Sequence, residues 1–532
     1  MRTAVPVLVV LFASRAAIAQ PVTPPPTAAP TGAAPEDPPP TPDPPKEPPK
    51  DEPATPKADA SPKSDTPPSP EPPKSPAATE PAKKEHKGSF QFGSYGRVVA
   101  ALDGSAGPGR DADIVAHGSR LDEDNYVEAE LRRDDEWEAT GAKTRAVITL
   151  AIASPLFHWD SDFDIKMAVR NLYLEADGLG AKGLSVWAGS RMLRGDDIYT
   201  LDFWPLDNLN TIGGGVGYKR DAGLARLSGM FHVGVSRPDA PFYHQTVIRQ
   251  APLDAFGTVP VELLDRTRVI GSLRLEYNQR FSDPEKGPAA GLKIVGYGEG
   301  HGTPSGQRET KPEVFEDLPS DGGFVIGGEL ATYTGIRDTY VNVFFRYASG
   351  LAAYGQFGVP GALAPDKTTS GAHEILVALG GNAEWGPLGL MLGTYLRSFR
   401  DASEALDFQD VDEGIVLARP TVFFGELAGL SLEASYQLSQ RGVIAPDPDD
   451  PTGFPNGPRL SSLFRFGVVP FLSPAGRGDF SRPHIRFIYE VTARDADAKA
   501  LYPADDIFHR RDIEHFIGFG AEWWFNSSTY GN

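Results

Sequence analysis

Residues 430–440 read LSLEASYQLSQ. Leu430, Leu432, Ala434, Tyr436 and Leu438 fall on one side and Ser431, Glu433, Ser435 and Gln437 on the other. That is the two-residue period of an extended strand, not the 3.6-residue period of a helix. One face is apolar and the other is wet. The split recurs at Leu273, Leu275 and Tyr277 against Arg274, Glu276 and Asn278, and at Ile485, Phe487, Tyr489 and Val491 against Arg486, Glu490 and Thr492. A soluble sandwich shows the same alternation, so the connections between strands must decide the fold.

From Ser89 onward the pattern places strands near 89–102, 123–133, 143–152, 164–178, 184–192, 213–220, 223–237, 268–281 and 291–300, and then near 323–334, 338–349, 372–380, 387–400, 413–425, 430–440, 460–472, 483–496 and 512–525. These are eighteen strands. Long connections such as 103–122, 193–212, 238–267, 301–322 and 350–371 alternate with short turns such as KRDAG, TGIRD and ELAG. An up-and-down barrel of the outer membrane has this order, with short periplasmic turns, long external loops and both ends of the barrel on the periplasmic side. Closure also removes the two edges that an open eighteen-stranded sheet would expose. The fold class expected is an all-β transmembrane antiparallel barrel of about eighteen strands. Pro420, inside IVLARPTVFF, lacks a ladder donor and predicts a bulge or an early strand end. The last strand turns Ile517, Phe519, Ala521, Trp523 and Phe525 outward, an aromatic finish suited to a lipid interface. NSSTYGN follows Phe525 without a physical reason in the sequence.

Composition bounds the rest of the chain. Met1 and Arg2, the apolar VPVLVVLFA and Ala17-Ile18-Ala19 have the order of a secretory signal peptide over 1–19. Its apolar core is too short to span a bilayer as a helix, and no later window supplies a longer one. Residues 20–88 hold 24 of the 50 prolines, eleven acids and eight lysines, and almost no large apolar side chain. Such a segment cannot offset the entropy of ordering and reads as an extended periplasmic spacer. With −3 there and +2 in the signal peptide, the net charge of −20 leaves −19 on the barrel. An acidic body argues against a nucleic-acid partner. The absence of cysteine excludes disulfides and thiolate metal sites.

The stretch VWAGSRMLRGDDIYTLDFW, 186–204, concentrates aromatic and charged side chains in one connection between two strands. Trp187, Tyr199, Phe203 and Trp204 offer flat apolar faces, and Arg191, Arg194, Asp196, Asp197 and Asp202 offer donors and acceptors. Together they suit a neutral, hydroxyl-rich solute. An ordinary solvated loop with anchoring aromatics fits the same residues.

The segment WAGSR, then Asp197, Asp202 and LDFW, resembles the constriction region of the maltoporin family of sugar-specific outer-membrane channels. FGSYGR resembles that family's first strand, SRLDEDNYVEAEL its second, and FGAEWW its last. The likeness covers about the first 120 barrel residues and the last ten; the middle matches by architecture alone. It implies a homotrimer whose third loop folds inward, with facilitated diffusion of maltodextrins or related oligosaccharides. By this resemblance Tyr95, Trp159, Tyr199, Phe203 and Trp204 form an aromatic track. Arg97, Arg120, Glu130, Lys166, Arg194, Asp197 and Asp202 form a polar track and constriction, and Trp159 is offered to the neighbouring subunit's pore. The sequence departs from the family at Glu128, where a tyrosine of the track would stand, and at Gly195, where an arginine would. Arg194 is the expected substitute for the latter.

Asp197 and Asp202 lie on a connection too long for a turn. Folded inward, they would come near Arg97 and Arg120, which would keep both acids ionised. Other motifs carry less. Gly213-Gly214-Gly215-Val216-Gly217 opens a strand and lacks the Lys-Ser/Thr of a phosphate loop. Asp160, Asp162 and Asp164 lack the Gly and Glu of a calcium loop, and PDPDDP at 446–451 is a weak divalent candidate. No cofactor or resident metal is implied. Two alternatives stay open: a general, cation-preferring diffusion porin, and a closed barrel acting as an enzyme or anchor.

Overall fold

The computed structural model describes residues 87–153, 166–252, 257–283, 289–334, 338–403, 410–441 and 459–527. The signal peptide, the Pro-rich segment up to residue 86, Trp159, the Asp160–Asp164 motif, PDPDDP and the last five residues of NSSTYGN lie outside them; Lys87 and Gly88, expected in the Pro-rich segment, begin the first strand.

Twenty-two strands follow one another: β1 (Lys87–Leu102), β2 (Tyr126–Trp137), β3 (Ala142–Ala153), β4 (Lys166–Asp177), β5 (Leu184–Arg194), β6 (Asn208–Ala222), β7 (Ala225–Ser236), β8 (His244–Gln250), β9 (Thr258–Asp265), β10 (Arg268–Arg280) and β11 (Gly291–Thr303). Then come β12 (Gly306–Lys311), β13 (Val314–Leu318), β14 (Asp321–Tyr333), β15 (Tyr340–Gly350), β16 (His373–Trp385), β17 (Leu388–Arg400), β18 (Val411–Phe424), β19 (Ala428–Arg441), β20 (Arg459–Leu472), β21 (His484–Arg494) and β22 (Ile513–Phe525). Eighteen of them form one antiparallel sheet, each paired with its chain neighbour. It closes where β1 pairs with β22, from Ser94 opposite Phe525 to Leu102 opposite Ile517. β8 with β9 and β12 with β13 are hairpins standing on two of the long loops. Closure leaves no edge strand in the wall.

All eighteen strands expected from the sequence are present. β2 begins at Tyr126 rather than 123, β6 begins at Asn208 rather than 213, and the two loop hairpins were not foreseen. Pro420 makes neither a bulge nor a strand end. β18 runs on to Phe424, and its pairing with β19 skips two residues between Ala418 opposite Ala434 and Thr421 opposite Ser431 without a shift of register. The proline points away from the lumen, so only its missing donor interrupts the ladder.

The faces sort as the alternation requires. Leu275, Ile326, Phe345, Val416 and Phe519 are exposed on the outside, while Glu433, Ser435, Gln437 and Arg465 are buried on the inside. Lipid is the medium in which the first arrangement is favourable. No helix among the described residues is long and apolar enough to cross a membrane. One rim carries the long connections. The other carries short turns such as Gly386-Pro387, together with both barrel ends, Lys87 and Phe525.

Candidate functional site

Residues 195–207 leave the wall after β5 and return at β6. Within them Ile198 and Phe203 form an isolated antiparallel bridge, the Ile198 N–H donating to the Phe203 carbonyl at 2.7 Å. A single 3₁₀ turn, Tyr199–Leu201, lies between. It ends at Asp202, whose φ of 46° is left-handed, a conformation that Asp and Asn tolerate better than most residues.

The segment docks on the inner face of the wall because glycines there leave room for it. A Cβ on Gly327 of β14 would come 2.5 Å from Leu206, one on Gly380 of β16 would come 3.1 Å from Ile198, and one on Gly393 of β17 would come 2.3 Å from Thr200. Ile198, Leu201, Phe203 and Leu206 are all buried against this surface. Burial of such side chains stabilises the docked segment by roughly 1.5–3 kcal/mol each.

Docking carries Asp202 between two cations. Its carboxylate lies 3.0 Å from Arg120 and 3.4 Å from Arg97. Arg120, 1 % exposed, also meets Glu522 of β22 at 3.1 Å, and its guanidinium lies 4.5 Å from the centre of the Tyr199 ring. The Tyr199 hydroxyl donates to Glu522 at 2.6 Å. Arg97 also pairs with Glu123 and donates to the Asp124 carbonyl at 2.9 Å. Burial works against ionisation of Asp202, yet Arg120 and Arg97 outweigh it and hold the carboxyl below its usual range. Asp197 behaves differently from the expectation that both acids are held by the arginines. Burial lifts its carboxyl to about 6, with Arg120 only partly opposing. Asp196 pairs with Lys293 of β11.

The aromatic side chains are close together but covered. Tyr95 is 0 % exposed and its hydroxyl accepts from Arg120. Phe203 stacks on His117 with ring centres 3.8 Å apart and planes 17° from parallel. Burial, with Arg397 and Arg346, pushes the His117 imidazole down to about 4, so near neutral pH it is an uncharged plate. Trp204 lies under the Arg194 guanidinium, 3.7 Å from the ring centre. The described rings of the expected aromatic track thus meet protein side chains, as apolar faces inside a polar lumen do when neighbours shield them.

Arg194 also donates to Asn208 at 2.7 Å, which ties it to the rim of β6. The space beside Gly195 is instead taken by Arg274 of β10, whose guanidinium lies 2.3 Å from where a Gly195 Cβ would stand and 2.8 Å from Asp207. Glu130 accepts from Thr149 at 3.0 Å, and Lys166 is exposed at the start of β4. Trp159 is not among the described residues.

Other contributors were missed. Tyr126 shares the inner face with Glu128, its ring lies 5.9 Å from Tyr95, and its hydroxyl and Arg170 both bond Glu128. Arg170 reaches the lumen because the β3–β4 register slips at Thr149/Leu150. A ladder of alternating charge runs along β16 to β19: Arg397 meets Glu374 at 2.6 Å and Glu413 at 3.1 Å, and Arg419 meets Glu433 at 2.6 Å. The first long loop joins it. Ile114 N–H donates to Gln437 at 2.9 Å, His117 N–H to the Tyr395 hydroxyl at 3.1 Å, and Arg465 lies 2.8 Å from Asp122 and 2.9 Å from Asp113. The wet face in the sequence was the available signal for these wall residues. Nothing local marked the first loop.

The LamB porin family model matches residues 90–525. Among solved structures, the chain is similar to OccD3 (OpdP) of Pseudomonas aeruginosa, at 9 % identity over 82 % of this chain and 91 % of that one, with a TM-score of 0.33. It is similar to OmpT of Vibrio cholerae in its trimer form, at 13 % identity over 83 % and 99 %, with a TM-score of 0.35. OccAB1 of Acinetobacter baumannii matches at 11 % identity over 83 % and 97 %, with a TM-score of 0.38. No curated protein matches the chain.

Proposed function

The chain belongs to the LamB porin family and is an outer-membrane channel; from that premise we propose that it carries maltodextrins or related oligosaccharides by facilitated diffusion, with residues 195–207 as the constriction. The observation that carries this reading is Asp202 held between Arg97 and Arg120 on a segment docked against the inner wall. A sugar presents a rim of hydroxyls, and alternating guanidinium and carboxylate groups can exchange hydrogen bonds with that rim along the whole lumen. Each bond is modest, so a series of overlapping sites lets the solute both bind and leave.

A second reading, a general cation-preferring porin, is favoured by the covering of Tyr95, Phe203 and Trp204, which leaves no free stacking face on those rings. Current noise separates the two. Concentration-dependent block of single-channel current by maltodextrins supports the sugar channel, and its absence leaves the general porin.

We further propose a homotrimer in which Trp159 packs against a neighbouring subunit. The short-turn rim, with Lys87, faces the periplasm, so that the Pro-rich segment lies there after removal of residues 1–19. The mass of the detergent-solubilised particle tests the assembly: a monomer rejects it.

A further inference from the structure

The connection between β20 and β21, residues 473–483, is the longest at the short-turn rim, where the other neighbouring strands are joined by two to six residues, except for the ten of 281–290. Eleven residues are far more than adjacent antiparallel strands need. Pro474 and Ala475 are exposed, but Ser473, Asp479 and the side chain of Arg482 are buried, and the segment reaches strands well beyond its own neighbours.

Its course across the lumen can be followed contact by contact. The Arg477 N–H donates to Glu426, in the β18–β19 turn, at 3.3 Å. The Asp479 N–H donates to Glu384 of β16 at 2.8 Å, and Gly389 of β17 leaves room for the Asp479 carboxylate, which would lie 2.1 Å from a Cβ there. The Phe480 ring lies 6.1 Å from Tyr340 of β15 and meets Tyr199 edge-on at 5.4 Å. Arg482 is braced by the carbonyls of Asp479 and Ser481 at 2.8 and 2.9 Å. The same guanidinium bonds Glu522 at 3.0 Å, donates to the Tyr199 hydroxyl, and lies 4.3 Å from the centre of the Trp524 ring.

Tyr199 belongs to the segment that comes from the long-loop rim. It is thus met by Arg120 and also by Phe480 and Arg482, and Glu522 is the anion that the two arginines share. Two segments entering from opposite rims converge on one tyrosine and one carboxylate.

We propose that residues 473–483 are a second constriction element, and that Arg482 on it is a selectivity residue for whatever crosses the barrel. The guanidinium adds a fixed positive charge where the two segments meet, beside Glu522. The inference rests on the channel reading and not on the identity of the solute.

The test is planar-bilayer recording of the full chain in potassium chloride, with two variants. One replaces residues 474–482 by a Gly-Gly link; the other is Arg482→Gln. The shortened turn raises single-channel conductance roughly twofold, and Arg482→Gln raises the potassium-to-chloride permeability ratio about threefold. Unchanged conductance in the first, together with an unchanged ratio in the second, overturns the proposal. Should the shortened turn fail to assemble as a heat-modifiable barrel, Phe480→Ala takes its place; no change in conductance there and no change in ratio for Arg482→Gln overturns it equally. These readouts contain no sugar, so failure of maltodextrin block rejects the oligosaccharide reading and leaves this inference standing.

Discussion

Asp202→Asn keeps the shape of the side chain and a residue that tolerates the left-handed φ of 46°, so it removes charge and little else. The loss falls on Arg120 and Arg97, at 3.0 and 3.4 Å. Neither is orphaned, because Arg120 retains Glu522 and Arg97 retains Glu123. A buried charge stripped of its only partner costs about 3–5 kcal/mol. With second partners present, and with the Asp202 side chain 23 % exposed to the screening of water, the expected loss of stability is about 1–2 kcal/mol. The effect on ions is worked separately. One unit charge acting at ~6 Å through water contributes about 0.7 kcal/mol, or about threefold in the partition of each ion, with opposite signs for cation and anion. Reversal potentials under a salt gradient should therefore show the cation-to-anion permeability ratio falling by up to about tenfold. The arginines hold Asp202 ionised, so the drop persists across the neutral range. A ratio unchanged in Asp202→Asn, in a channel that still conducts, would show that ions do not pass this carboxylate and that residues 195–207 are not the constriction.

Two further outcomes follow from the geometry. The Asp197 carboxyl is raised to about 6, so it is ionised above that pH and neutral below. Cation preference should fall as pH drops through about 6, and the step should shrink in Asp197→Asn; Asp479, also raised to about 6 by burial and by Glu384, contributes to what is left. A step of unchanged size in Asp197→Asn would remove Asp197 from the ion path. Gly215→Val would put a Cβ 2.5 Å from the Trp187 indole nitrogen and 2.6 Å from the Phe231 carbonyl. Overpacking of that kind costs about 1–3 kcal/mol, read as a lower denaturant midpoint for the refolded barrel. An unchanged midpoint would mean that Trp187 does not pack there.

The wall of this barrel was legible because side-chain alternation is a local property of an extended chain. Leu430 to Gln440 point where they do whatever strand lies beside them, and a long stretch between short turns leaves few other ways to satisfy the backbone in lipid. The same rule put Glu433, Arg486 and Glu490 on the wet face. It said nothing of what they face across the lumen. Tyr199 finds Glu522 only because β1 closes on β22, and Arg482 finds Tyr199 only because a short-rim connection folds inward. Partners separated by hundreds of residues leave no periodic trace in a single sequence. Whether a ring is free to stack was equally hidden: Phe203 and Trp204 are covered by His117 and Arg194, and that depends on the docked course of residues 195–207 and of the first loop. The sequence determined which faces are wet and which are apolar, since each choice depends on neighbours along the chain; closure and loop docking decided which charges meet inside, since those contacts exist only in three dimensions.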